Sequence, residues 1–348
     1  MKKLLAVILT FVFFVGCGSD KNENTQDEMS EAQSFDSEKM ISDDTVKEKL
    51  FELRYNFPKG KKLRYKLTSV ATTDQKIESD TVINQEVTQT IDYLFDIESL
   101  GKVDDNYKLK VSIKSIKLTT NFNGETLSFD SENIENNSNQ KDYAEYASLA
   151  NTSYDITIDR QGTILSVDNI EEIIDNYLRI QEIPSITDEE RTEFREQMKS
   201  NAIQPLTQQM FKYLPDKKIK IDTPWMLNYE SDLGVYKLNN TATSTFKGIQ
   251  KDNEDSIAVI KTDLSVIPEG NGTITQNNIN YQFSEPKVTG FAHILFNIEE
   301  GYIVKSESTS QTEMNLFVTN NDATTGPQTA TRSDFAVNKN YLELLSAE

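Results

Sequence analysis

The sequence has few of the residue types that most catalytic sites require. Its 348 residues include one histidine, His293, and one cysteine, Cys17. A His-dependent catalytic triad and a metal site with several His ligands are therefore excluded within one chain. Glycine-rich nucleotide loops and the Gly-x-Ser-x-Gly motif are also missing from the sequence. We therefore expect a non-enzymatic protein without a cofactor or a metal ion.

Basic residues are scarce as well. Lys and Arg number 36 against 56 Asp and Glu, which gives a formal net charge of −20. A surface of this sign repels nucleic acid and anionic headgroups at long range, so nucleic acid is not expected as a partner. The abundant carboxylates leave one alternative open, a glycan hydrolase that uses only Asp and Glu.

The sequence has a long apolar run only at its start. Residues 4–15 are largely apolar and follow Lys2 and Lys3. A helix needs about 20 apolar residues to cross a bilayer, and this run is shorter. A basic start, a short apolar run and a small residue before Cys17 are typical of a cleaved signal peptide.

The end of this run, Phe14-Val15-Gly16-Cys17, resembles the lipobox of bacterial lipoproteins. The resemblance implies that residues 1–16 are removed and that the Cys17 sulfur receives a diacylglycerol. Two or three acyl chains would then anchor the mature chain stably to a membrane. Gly18 follows Cys17, whereas Asp at that place retains enterobacterial lipoproteins in the inner membrane. The resemblance therefore favours the outer membrane of the cell envelope, and it leaves open whether the domain faces the periplasm or the surface.

The rest of the chain divides into a tether and one domain. Residues 17–49 are rich in Ser, Asn, Asp, Glu and Gln and lack periodicity, which predicts a disordered acidic tether. From residue 51 onward, apolar side chains alternate along successive stretches, as they do at Leu53, Tyr55 and Phe57. Such alternation predicts antiparallel strands with one solvated face. We expect a single domain over residues 51–345.

Helical spacing interrupts the strands in the middle of the chain. One helix is predicted to begin with Asp168 as its cap, and a second with a capping box of Thr187 and Glu190. Pro205 should kink or split the second helix. The layout predicts an α+β fold, a large curved antiparallel β-sheet, half-barrel-like, with two or three helices inserted mid-chain.

Two details of the predicted sheet can be checked against a structure. The apolar alternation changes phase near Ser115, which indicates a β-bulge with one extra residue. Residues 320–331 are polar and predict a loop, followed by a short final strand that includes Phe335 and Val337.

Two stretches carry a family resemblance: residues 57–65 (FPKGKKLRY) and residues 214–225 (LPDKKIKIDTPW). Together they resemble a domain family of unknown function found in lipoproteins of Bacteroidetes-type bacteria, over about residues 51–345. The resemblance implies no catalytic residues. The architecture is also similar to that of half-barrel lipid carriers of bacterial envelopes, in which a curved sheet holds helices in its hollow.

The predicted second helix carries an apolar stripe. It consists of Phe194, Met198, Leu206 and Met210. These side chains would be core residues in a filled domain, and in a curled sheet they would line a cavity for an acyl chain. Our leading hypothesis is a non-enzymatic envelope lipoprotein that binds an apolar or amphipathic ligand, or a protein partner. The alternative is a structural or interaction lipoprotein with a filled core.

Overall fold

The computed structural model describes residues 47–133, 140–252, 255–276, 279–320 and 328–348. The predicted signal peptide at residues 1–16, the acylation site Cys17 and the tether up to residue 46 lie outside the described residues. At the end of the predicted tether, Glu48 is described, and its carboxylate lies 2.5 Å from the Lys220 ammonium.

The described strands form one 14-stranded sheet in which neighbouring strands pair antiparallel. They are β1 (Lys62–Glu78), β2 (Val82–Val103), β3 (Asn106–Phe122), β4 (Glu125–Asp130), β5 (Thr152–Ile158), β6 (Ile164–Asp168), β7 (Pro224–Leu233), β8 (Tyr236–Asp252), β9 (Asp255–Glu269), β10 (Thr273–Gln276), β11 (Ile279–Phe283), β12 (Lys287–Asn297), β13 (Tyr302–Asn320) and β14 (Gln328–Ala347). The prediction of a large antiparallel sheet is confirmed.

The strand order shows where the first and last strands of the chain lie in the sheet. It runs β6-β5-β3-β2-β1-β14-β13-β12-β9-β8-β7, with β4 beside β3 and the β10–β11 hairpin beside β13. The first and last strands therefore pair in the middle of the sheet, while β6 and β7 are its two ends. Because these two ends do not pair with each other in the described chain, the sheet is open.

Strand pairing confirms the predicted bulge and corrects the predicted C-terminus. Leu94 pairs with Ser115 but Phe95 pairs with Ile113, so one extra residue lies in β3 at the predicted place. A final strand that includes Phe335 and Val337 is present, but it is not short, because β14 starts at Gln328 and pairs along most of its length with β1 and β13. Its Thr, Ser and Asn side chains hide the strand from an apolar-alternation test, whereas its backbone pairs on both sides.

Helices follow β4 and β6. They are α1 (Ala144–Leu149), preceded by a 3₁₀ turn (Gln140–Tyr143), α2 (Glu171–Ile180), α3 (Asp188–Met198), a π-helical turn (Lys199–Ile203) and α4 (Gln204–Gln208). The capping box of Thr187 and Glu190 is present at the start of α3, and the helix changes to a π-turn just before Pro205, as predicted. Asp168 does not cap α2, since it accepts a hydrogen bond from Ser166 instead.

Residues 51–57, here called the core segment, do not form the predicted strand. Their backbone makes one isolated bridge, in which Phe51 and Ile219 exchange hydrogen bonds of 2.8 and 2.9 Å. The alternate side chains Leu53 and Tyr55 are nevertheless about 1% exposed. Alternation in this segment therefore reports burial in the core rather than membership of the sheet.

The core segment contacts strands from both halves of the sheet. The ring of Phe57 lies 5.6 Å from that of Tyr107 in β3, and the ring of Tyr55 lies 5.5 Å from that of Phe296 in β12. Helix α2 contributes Ile173 to the same core, fully buried. One main hydrophobic cluster thus joins the sheet, the helices and this segment.

Candidate ligand-binding grooves

The first candidate site is a cleft between α2 and α3, here called the interhelix groove. Its volume is about 260 Å³. It is lined by Tyr177, Leu178, Ile183, Ile186, Glu190, Glu193, Phe194 and Gln197. Five of these eight side chains are apolar or aromatic, and the two carboxylates add negative charge to the lining. The groove therefore suits an apolar group whose polar end is uncharged or cationic.

Helix α3 is attached to α2 mainly by polar contacts. All of α3 is described, and none of its side chains is buried. Its main ring contact is between Phe194 and Tyr177, whose centroids are 5.1 Å apart. The Arg191 guanidinium lies 2.8 Å from the Glu171 carboxylate, and that of Arg195 lies 2.6 Å from it. Exposed ion pairs of this kind contribute little stability, so α3 is a weakly held cover of the groove.

The same two arginines set the ionisation of the carboxylate that they share. Hydrogen bonds from Arg195 and then Arg191 lower the pKa of Glu171 below its usual 4.5, although partial burial opposes this effect. The ion pairs of Glu171 with Arg191 and Arg195, here called the latch between α2 and α3, are therefore charged at neutral pH.

All four side chains that sequence analysis grouped as a possible ligand site contact the main cluster, but only one of them lines the interhelix groove. Phe194 lines the interhelix groove. Met198 and Leu206 are half-buried against the main cluster, and Met210 is part of it with 1% exposure. A role of all four in ligand binding stays a prediction.

Sequence analysis missed the other apolar residues of this groove. Ile183 and Ile186 lie in the connection between α2 and α3, where helical periodicity gives no information. Ile183 is 39% exposed, which is unusual for an isoleucine. Isoleucines on both sides of Pro184 were the available signal, because polar residues are more common in such connections.

The second candidate is an open cleft of about 630 Å³ on the sheet, here called the strand groove. It is lined by Asp74, Gln75, Lys76, Asn84, Gln85, Glu86, Asn123, Glu313, Asn315, Ser333, Asp334 and Phe335. These residues come mainly from the ends of β1, β2, β13 and β14 that lie far from the main cluster. Their register places Glu86, Asp74, Phe335 and Glu313 in one cross-strand row, and Asn84, Lys76, Ser333 and Asn315 in the next.

Other titratable groups lie outside both grooves. Burial lowers the pKa of Lys212 to about 8, and its ammonium contacts the Gln209 side-chain oxygen at 3.4 Å. Burial, together with the neighbouring Lys261, lowers the pKa of His293, which pairs across strands with Glu307. No group of three or more His, Cys, Asp or Glu side chains in the described ranges is arranged to hold a metal ion.

In the part of the chain that the structure describes, every helix is too short or too polar to span a bilayer.

Comparisons with solved structures give distant similarities. A lipovitellin structure, described as showing lipid–protein interactions, is 11% identical with a TM-score of 0.43; the match covers 84% of this chain and 26% of that one. This chain thus spans about a quarter of the lipovitellin chain. Pseudomonas aeruginosa OccK5 (OpdH) is 6% identical with a TM-score of 0.22, covering 81% of this chain and 98% of that one. An outer membrane channel from Pseudomonas putida F1 is 8% identical with a TM-score of 0.18, covering 84% and 97%. These values support no conclusion about function.

A family model gives a closer assignment. Curated proteins provide no match to the chain. The model of the Family of unknown function (DUF6263) matches residues 104–303, from the start of β3 to the start of β13. This match covers more than half of the chain and includes the helices and the interhelix groove. The chain belongs to this family of unknown function, DUF6263.

Proposed function

We propose that the chain is a cell-envelope lipoprotein that is acylated on Cys17 and whose domain binds an apolar or amphipathic ligand. The residue after Cys17 is Gly18 rather than Asp, and on the enterobacterial sorting rule this favours the outer membrane. The N-terminal sequence supports the anchor, since a basic start and a short apolar run precede Gly16 and Cys17. The acidic composition supports attachment through acyl chains rather than through charge, because such a surface is repelled by anionic headgroups.

The interhelix groove is the observation on which the binding proposal depends. Its apolar lining is accessible between two helices, and α3 covers it without burying any of its own side chains. A ligand that displaces α3 therefore breaks exposed ion pairs and the partly buried contacts of Phe194 and Met198, but it removes no fully buried side chain. At about 260 Å³ the groove suits part of one acyl chain. An apolar side chain of a protein partner is the second candidate ligand.

A curved, half-barrel-like sheet is the finer part of this proposal. Ring-to-ring steps of 5.6, 5.8 and 5.5 Å connect Tyr107 in β3, through Phe57 and Tyr55, to Phe296 in β12. In a flat sheet, five strand spacings would hold β3 and β12 about 24 Å apart. The shorter path through the core segment supports a sheet that curves around it.

The anchor is tested by metabolic labelling. Cells that express the wild-type chain or the Cys17→Ala variant are grown with radioactive palmitate. We expect label in the wild type only, because the thioether can form only on Cys17. Equal labelling of the two chains would refute the anchor without affecting the groove.

Ligand binding is tested by native mass spectrometry after mild detergent extraction. We expect an added lipid-sized mass on the wild-type chain and its loss in Ile186→Asp, which places a charge in the groove. Leu165→Asp is the matched control, because Leu165 is 52% exposed on β6 and lies outside the groove. An unmodified wild-type mass, or equal loss in both variants, contradicts ligand binding at this site.

The filled-core alternative keeps one observation in its favour. Met198, Leu206 and Met210 pack against the main cluster rather than around the interhelix groove. A chain whose native mass includes only its own acyl groups would favour this structural or interaction role.

A further inference from the structure

The strand groove holds hydrogen-bonding side chains that the fold does not use. The amides of Asn84 and Asn315, the Ser333 hydroxyl and the carboxylates of Asp74 and Glu86 have no side-chain hydrogen bond or ion pair within the described chain. Asp74 and Glu86 also face each other directly across β1 and β2. Like charges in directly opposed positions destabilise a sheet, so this pair does not serve the stability of the fold.

An aromatic ring lies within the same row. Phe335 is opposite Asp74 on one side and Glu313 on the other, and it is 40% exposed. A large part of the apolar surface of this ring therefore stays in water, where it does not contribute to folding. The ring instead presents a flat apolar surface among hydrogen-bonding groups.

The carboxylates, amides, hydroxyl and aromatic ring of the strand groove together limit which class of ligand can bind there. Carboxylates accept hydrogen bonds, amides both donate and accept, and a hydroxyl does either. A wholly apolar ligand would bury these groups without partners, which costs free energy. An anionic ligand would meet Asp74, Glu86 and Glu313, and a simple cation would leave both amides and the ring unused. A ligand that has many hydroxyls and an apolar C–H face satisfies every one of these groups.

The size of the groove fits a chain of several such units. Its rows cross four neighbouring strands, β2, β1, β14 and β13, and three strand spacings give a length of about 14 Å. Its volume of about 630 Å³ lies within the range of small-molecule sites. We propose that the strand groove binds an uncharged oligosaccharide, with Phe335 stacked on a sugar ring and Asp74, Glu86, Asn84 and Asn315 bound to its hydroxyls. This proposal is independent of the interhelix groove.

The test uses the full chain in a sugar-free zwitterionic detergent and isothermal titration calorimetry. The probes are cellohexaose, maltohexaose and chitohexaose, with spermine as a cationic comparison. We expect at least one hexasaccharide to bind with a Kd of about 1 mM or lower, and its affinity to change little with salt, because a neutral ligand is not screened. Spermine should bind more weakly than that sugar.

Three variants locate the binding site. Phe335→Ala and Asn84→Ala should each weaken the sugar about tenfold, which corresponds to about 1.4 kcal/mol. Phe317→Ala is the matched control, because Phe317 is 47% exposed in β13 but does not line the groove. Circular dichroism of each variant checks that the sheet is retained.

Several results would overturn the proposal. One is the absence of binding by all three hexasaccharides at about ten times the expected Kd. Equal effects of Phe335→Ala and Phe317→Ala would place the sugar elsewhere. Tight, salt-sensitive binding of spermine that excludes the sugars would make the groove a cation site instead.

Discussion

Replacing Gly162 with alanine tests how closely the core segment is packed. Gly162 lies in the turn between β5 and β6 with a φ of +89°. A Cβ atom there would lie 2.4 Å from the Tyr55 ring and 2.7 Å from the Lys212 carbonyl oxygen. The ring cannot easily withdraw, since the Tyr55 hydroxyl accepts a hydrogen bond from the Lys212 N–H at 2.7 Å and donates one to its carbonyl at 3.1 Å.

The expected loss has two parts. A positive φ costs an alanine about 1–2 kcal/mol. Forcing a methyl group into a packed core costs about 1–3 kcal/mol more. Gly60→Ala separates the two effects, because Gly60 has a φ of +88° but nothing in the described chain lies within 4 Å of its added Cβ. We therefore expect Gly162→Ala to lower the free energy of unfolding by about 1–3 kcal/mol more than Gly60→Ala does.

Urea unfolding followed by fluorescence measures this difference. The chain has one tryptophan, Trp225, whose indole N–H donates to the Tyr213 carbonyl at 3.0 Å, so its emission should report loss of the fold. Comparable m-values for the two variants would validate the comparison. Equal losses in Gly162→Ala and Gly60→Ala would refute the close packing of Tyr55 against the β5–β6 turn.

Three further predictions concern the latch and the core. Because the pKa of Glu171 is lowered in the folded chain, its ion pairs stabilise α3 above pH 4.5 and are lost as the pH falls through the folded pKa. Hydrogen-exchange protection of α3 should then fall relative to that of α2, and protection that stays unchanged at every pH below 4.5 would contradict this. Thr187→Ala removes the capping box and should destabilise α3 locally by about 1 kcal/mol, whereas Thr187→Ser should not, as judged by the same exchange measurement. Tyr65→Phe leaves the buried Ile303 carbonyl without its 2.7 Å hydrogen bond and should cost about 1–3 kcal/mol in urea unfolding; a loss below about 0.5 kcal/mol would count against that bond.

Sequence periodicity predicted the parts of the fold where one strand face is apolar. The side chains of Phe95 and Ile97 lie on either side of the polar Asp96 and are buried in β2 as expected. It failed for β14, whose polar side chains give no such alternation, and for the core segment, where alternation reflects burial without pairing. Periodicity measures the environment of side chains, whereas strand membership depends on backbone partners.

The candidate sites were harder to predict for a related reason. Phe194 was found because it belongs to a helical stripe, while Ile186 lies in a connection with no period. The strand groove was not found because Asp74 and Phe335 are far apart in sequence and become neighbours only through the β1–β14 register. No local pattern contains that register, since β1 and β14 lie at opposite ends of the described chain.

The long strands explain why the chain is lean in apolar residues and yet folds. In β1 no side chain is buried beyond Leu67, and in β2 none is buried before Ile91, although both strands are described along their whole length. These polar extensions gain little from the hydrophobic effect, while ordering each of their residues costs about 1–2 kcal/mol. Backbone pairing with β13 and β14 offsets this cost, because more than two strands cooperate. A fold that needed only its core could end these strands earlier. Their length therefore points to the surface that they carry, and the strand groove lies on that surface.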